Sequence, residues 1–351
     1  MNSASIAMLL VVLAAPAFPA QLATALDLND RGNRASEAGR AEEAIGLYRE
    51  ATTIWRQAGP RYDAHLAGTL YNLGIAVSAT GNRTEAVRLL GEALALHRKT
   101  LGMSNLRTIS NVTLLASNDL MIGHVDEADA LLQEALPVTR QLFPKDIQMA
   151  RVLEGICNVL VRRGRAAEAL APAEEALPIA IEAAGEESLD AALAYSSVAE
   201  IHRTLGHPER ALPLFRKARM MYEKVLGPDH PRVAALLSQE GLILMDDGKS
   251  ATAEQLMTDA VEKLERKCST CNVELAIAEN NLAILRFRQT RYKEAGALLT
   301  RVMELREHYS TTPGPEMADT LRMLAMVRKK EKRYADAERL THRADVIMGY
   351  R

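Results

Sequence analysis

The chain has 351 residues, with 43 Lys and Arg against 45 Asp and Glu and a formal net charge of −2. That balance excludes a long-range field drawing the whole molecule onto nucleic acid or an anionic membrane surface. Hydrophobic residues make up 48% but aromatic residues only 4%, so the core must be filled by Ala, Leu and Val, as stacked helix pairs require.

Residues 6 to 18 (IAMLLVVLAAPAF) form an uncharged apolar stretch, too short to cross a bilayer and followed by Ala-x-Ala at Ala15/Ala17 and Ala23/Ala25. The segment reads as a signal peptide over residues 1 to 25, with cleavage after Ala17, Ala20 or Ala25, although Met1 to Ser5 carry no Lys or Arg. No cysteine follows the cleavage sites, which argues against a lipid anchor. Residues 26 to 351 would then be exported, to the periplasm or outside the cell, with no integral membrane span. The alternative reading makes the segment a helical cap on a cytoplasmic protein.

From there to the end, one alanine recurs eight times: Ala44, Ala86, Ala128, Ala169, Ala211, Ala253, Ala295 and Ala337. Successive intervals are 42, 42, 41, 42, 42, 42 and 42 residues, so one supersecondary unit is copied eight times, and no linker interrupts the period. Five residues before each alanine stands Gly39, Gly81, Gly123, Gly164, Gly206 or Gly248, replaced by Thr290 and Lys332 in the last two copies. Such a residue closes one helix in the left-handed conformation and lets the chain reverse. Small residues seven before that turn (Gly32, Gly74, Ala116, Cys157, Ala199, Gly241, Ala283, Ala325) let helix axes approach closely. A third small column, Ala51 to Ala344, follows seven after the key alanine, with Val302 its one larger member.

Around these columns apolar residues follow helical spacing, as in Ala86, Leu89, Leu90, Ala93 and Leu94. Each copy is therefore predicted to be two antiparallel helices, and the chain an all-α, right-handed superhelical solenoid of about eight repeats. An acidic residue one before the key alanine complements the dipole of the second helix, with Arg210 and Thr252 the exceptions. Pro172 and Pro213 fall inside second helices, predicting a kink or a late start there, and Pro137 and Pro178 predict an end or bend.

These residues resemble the tetratricopeptide repeat: a small residue in the first helix, a Gly-rich turn, then alanine with a bulky residue four on, as in Ala44/Tyr48, Ala86/Leu90, Ala211/Phe215 and Ala295/Leu299. The 42-residue period, the segment from Ala211 to Ala234 and the run ENNLA at residues 279 to 283 are similar to the kinesin-light-chain subtype. That resemblance implies a peptide-holding role for the asparagine two residues before the small column, matched here by Asn72 and Asn281. Leu114, Gly155, Ser197 and Gln239 stand there in copies three to six.

Cysteines and histidines offer little chemistry. Cys157 occupies a small-residue column and reads as a buried, inert thiol. Cys268 and Cys271 form a CxxC whose reading is a local disulfide in an oxidising compartment, or plain thiols. A second CxxC, a paired-histidine ladder and a phosphate-cradling glycine loop are all missing from the sequence, so no catalytic residue, metal site or cofactor is predicted. The basic run Arg328 to Arg333, with Glu331 inside it, reads as a polar cap on the end of the array rather than a nucleic-acid site.

What remains is surface. Stacked hairpins curve, and their first helices line the inner face. The residues predicted there as peptide-binding are Asn29, Asn33, Tyr71, Asn72, Asn158, Arg162, Arg203, Asn280, Asn281 and Arg288. The expectation is a non-catalytic scaffold that binds a protein or peptide. The alternative is a structural subunit of a cell-envelope assembly that self-associates through its terminal repeat.

Overall fold

A computed structural model describes residues 17–267, 272–309 and 314–349. The apolar stretch before Ala17 and the Cys268/Cys271 pair lie outside the described residues. Those residues form sixteen α-helices and one short 3-10 turn, Pro60–Tyr62, with no strand. The chain divides into two compact units, Met1–Phe143 and Pro144–Arg351.

The first unit holds α1 (Ala17–Glu37), α2 (Ala41–Ala58), α3 (Asp63–Ala79), α4 (Arg83–Leu101), α5 (Leu106–Met121) and α6 (Val125–Leu142). The second holds α7 (Ile147–Arg162), α8 (Ala166–Ala184), α9 (Leu189–Thr204), α10 (Pro208–Leu226) and α11 (Pro231–Asp246). It continues with α12 (Ser250–Lys267), α13 (Asn272–Arg288), α14 (Tyr292–Tyr309), α15 (Pro315–Lys330) and α16 (Tyr334–Ile347). Odd-numbered helices pack on the even-numbered helix that follows, and within each unit every hairpin packs on the next. This is an all-α helical repeat solenoid, eight hairpins from eight sequence copies.

All eight key alanines have no exposed surface. A Cβ on Gly74 would stand 2.7 Å from Leu90, and one on Gly32 2.5 Å from Tyr48. The small residue of the first helix thus receives the bulky residue four after the alanine. Turn glycines adopt the left-handed conformation, as at Gly81 (φ 88°), and Thr290 (φ 62°) and Lys332 (φ 63°) are held in it without being glycine.

Three local features go beyond the sequence expectation. Helix α8 runs through Pro172 and Pro178, α10 through Pro213, and α6 through Pro137, so none starts late or ends at its proline. In α8 the buried row Ala169, Ala173, Ala176 and Ala180 holds the helix across the backbone hydrogen bonds that the prolines cannot donate. Helix α1 spans Ala17–Glu37, so it takes in residues up to Ala25 that the sequence reading gave to the signal peptide, and Leu22 and Ala25 pack on the first core. The unbroken period gives no hint of two units, yet the division falls within the single 41-residue interval. Gly59, Gly102, Gly185 and Gly227 turn between hairpins at positive φ. At the division Phe143 takes that place with φ −136°.

Candidate functional site

The first unit contains a cavity of about 400 Å³, lined on one side by Leu26 and Asn29 of α1 and Trp55 of α2. His65, Gly68, Thr69, Tyr71 and Asn72 of α3, His97 of α4, and Arg107 and Ser110 of α5 complete it with Ala64. The repeat explains this convergence. Trp55 and His97 stand eleven after the key alanine of copies one and two, and His65 and Arg107 stand twenty-one before that of the next copy. The two positions meet where one hairpin docks on the next: the rings of Trp55 and His65 stack at 4.8 Å and 15°.

Why the space stays open is also positional. Gly68 and Ser110 are small where Arg151 and Leu193 stand in copies four and five. A Cβ on Gly68 would meet nothing within 4 Å. In the second unit Arg151 pairs with Asp190 at 2.8 Å. Arg232 sits 5.5 Å from the Tyr222 ring, the counterparts of Arg107 and His97. Nearby Glu154 is pushed up to about 8 by burial and then by Asp190, against the pull of Arg151 and Arg232.

Around the cavity, carbonyl oxygens are largely engaged. Thr69 donates to Asn29 Oδ1 at 3.2 Å. Asn33 Oδ1 accepts from Tyr48 at 2.8 Å and from Asn72 Nδ2 at 3.1 Å. Asn111 satisfies all its neighbours when its carbonyl accepts from His97 Nδ1 (3.3 Å) and Leu94 N–H (2.9 Å) and its amide donates to Leu90. Burial, then the positive charge of Arg107, lowers the His97 pKa, which leaves that ring neutral at physiological pH. Trp55 is 2% exposed, and its Nε1–H has no acceptor among the described residues.

The structure brings Asn29, Tyr71 and Asn72 together on the cavity wall, with Asn33 behind them. The other predicted residues lie in the second unit. Asn158 and Arg162 are exposed on α7, and Asn280 is half-buried on α13. Arg203 is held in a two-pronged pair with Glu200 at 2.5 and 2.9 Å, and Arg288 pairs with Asp246 at 2.5 Å. Asn281 is buried and donates to Ser238 at 3.0 Å, tying α13 to α11. Cys157 is buried, its thiol pushed up to about 12 by burial and Glu154. His202 and His207 lie with ring centroids 6.1 Å apart, and among the described residues no group of three or more His, Cys, Asp or Glu could hold a metal. Nor, among these residues, is any helix long and apolar enough to cross a membrane.

Trp55, His65, Gly68, His97 and Arg107 escaped the sequence reading. The signal was there in the repeat columns, where Gly68 and Ser110 replace larger residues of other copies.

Hairpins built on one recurring small-residue frame define an all-α helical repeat protein. The tetratricopeptide repeat model matches residues 65–141, 148–224 and 274–343, more than half of the chain. The chain belongs to the tetratricopeptide repeat family. No curated protein matches its sequence. Among solved structures it is similar to the apo form of RapI, at 15% identity and TM-score 0.64, over 81% of this chain and 97% of that one. It is also similar to a Rap protein complexed with Competence and Sporulation Factor, at 14% identity and TM-score 0.62, over 93% of this chain and 98% of that one. These likenesses concern the fold. The repeats of a Podosopora anserina protein described as a kinesin light chain match at 19% identity and TM-score 0.48, over 59% of this chain and 98% of that one.

Proposed function

We propose that this protein is a non-catalytic scaffold that holds a peptide or protein partner against the exposed faces of its odd-numbered helices. The observation that carries the reading is a set of large apolar side chains left in solvent there: Leu26 (48%) and Ile75 (37%) in the first unit, Ile277 (46%) and Met326 (46%) in the second. Apolar surface beside polar residues such as Tyr71 and Asn158 is what a partner helix or strand would cover. The fold relative that binds Competence and Sporulation Factor adds support at the level of architecture. Proteins copurifying from the native cell, identified by mass spectrometry, should be lost with Ile75→Glu or Ile277→Glu and kept with Val225→Glu, a change on α10. Equal recovery with all three variants would remove the reading.

Self-association is a second reading, favoured by Tyr334 (62%) and Val346 (61%), exposed on α16. A chain that stays monomeric by light scattering at high concentration counts against it. Export is inferred from the apolar N-terminal stretch, and N-terminal sequencing of the protein from its own cell tests it.

A further inference from the structure

Two groups at the first unit's cavity have no use within the fold. The Trp55 indole N–H is buried without an acceptor, and the Arg107 guanidinium has no ion pair or hydrogen bond among the described residues. No Asp or Glu lines the space, and His97 is kept neutral. The wall thus carries one permanent positive charge and no negative one, beside neutral polar groups such as Asn72 and His97. It also offers the apolar surface of Tyr71 and Leu26, the Trp55 ring being covered by His65. A volume of about 400 Å³ falls within the range of sites for small organic molecules.

We propose that this cavity binds a small aromatic carboxylate, its ring against Tyr71 and Leu26 and its carboxylate taken by Arg107 and the unused N–H of Trp55. A peptide backbone is uncharged, whereas a carboxylate brings the negative charge that Arg107 lacks a partner for and accepts from both of the unused donors. The site goes beyond the scaffold reading and does not rest on it, since no partner protein contributes to the cavity. Gly68 is what keeps it open. Copy five, with Leu193 at the same position, shows the side chain that would fill it.

Trp55 is the only tryptophan in the chain, so its fluorescence reads the cavity directly. Phenylacetate titrated into the full chain should give a saturable change. Phenylacetamide, the same ring without the charge, should bind about tenfold more weakly. Gly68→Leu, with helical circular dichroism unchanged, should abolish the response. Arg107→Ala, at an exposed position in the first turn of α5, should weaken phenylacetate about tenfold and leave phenylacetamide unaltered. A terminally blocked peptide carrying one glutamate separates a free acid from an acidic side chain. Its binding more tightly than phenylacetate would overturn the proposal, as would the absence of any saturable response, parity between phenylacetate and phenylacetamide, or a Gly68→Leu variant that titrates like the wild type.

Discussion

Glu279 of α13 lies 2.9 Å from the Arg301 guanidinium of α14 and has no exposed surface. It occupies the position that Leu237 holds one copy earlier and Leu321 one copy later. The same two positions in copy five hold Tyr195 and Lys217, whose ammonium donates to the tyrosine hydroxyl at 2.7 Å. A core column of the repeat thus admits a polar group where the facing position of the second helix supplies a cation.

The Glu279 pair is poorly compensated. Neither carboxylate oxygen makes a hydrogen bond of good geometry among the described residues. Burial pushes this carboxyl up to about 7, with Arg301 pulling it down and Glu265 pushing it up. Glu279→Leu should therefore stabilise the protein by about 1–4 kcal/mol at pH 8, because a packed apolar side chain replaces a desolvated charge. The gain must depend on pH. Between the ordinary glutamate value, 4.5, and about 7, the folded chain keeps a proton that the unfolded chain has released, so wild-type stability falls as pH rises through that window. Urea denaturation of both proteins at pH 4, 6 and 8 checks this. A gain that stays constant across the series contradicts it.

Thr290 and Lys332 offer a second test. Both sit in the left-handed conformation that glycine takes in the six preceding turns, which strains a residue bearing a Cβ. Thr290→Gly and Lys332→Gly should each stabilise by about 1 kcal/mol, and Gly81→Ala should destabilise by a similar amount. Thermal melts of the three variants decide it; a loss of stability in the two glycine variants would show that side-chain contacts outweigh the backbone.

Most of the fold was legible in the sequence because packing repeats with the chain. Alanine 42 residues apart, with a small residue and a turn at fixed offsets, leaves one way to pack consecutive hairpins. The candidate site was only half legible. Asn29, Tyr71 and Asn72 could be placed on first helices from spacing, but Trp55 and His97 lie on second helices and reach the cavity across the junction between hairpins. Asn281, expected from its column to hold a peptide, is bonded to Ser238, and a periodic pattern cannot tell a side chain that ties two helices from one that faces solvent. The ion pairs joining second helices were hidden for the same reason. Arg56 donates to Glu92 at 2.7 Å in the first unit, and Glu265 accepts from Arg301 at 2.5 Å in the second. The same two columns thus carry opposite charges in different copies.

Two glycines on α3 make a third prediction. Gly74 faces Leu90 at a distance that leaves no room for a Cβ, whereas Gly68 faces open space. Gly74→Ala should destabilise by about 1–3 kcal/mol through overpacking. Gly68→Ala should instead be neutral or stabilise by about 0.5–1 kcal/mol, from helix propensity alone. Equal effects in chemical denaturation would mean that glycine acts at both positions through the backbone, not through packing.

The start of α1 separates the possible cleavage points. Leu22 packs on the first core and Ala25 is fully buried within it. Cleavage after Ala17 or Ala20 would leave both in place; cleavage after Ala25 would strip them away and expose apolar surface of α2 and α3 worth about 1–3 kcal/mol. A chain beginning at Gln21 should therefore melt like one beginning at Ala17, and a chain beginning at Leu26 should melt lower. If the protein is exported, the mature form isolated from its own cell should begin at Phe18 or Gln21. A mature form beginning at Leu26 with undiminished stability would show that the first two turns of α1 belong to the leader and not to the fold.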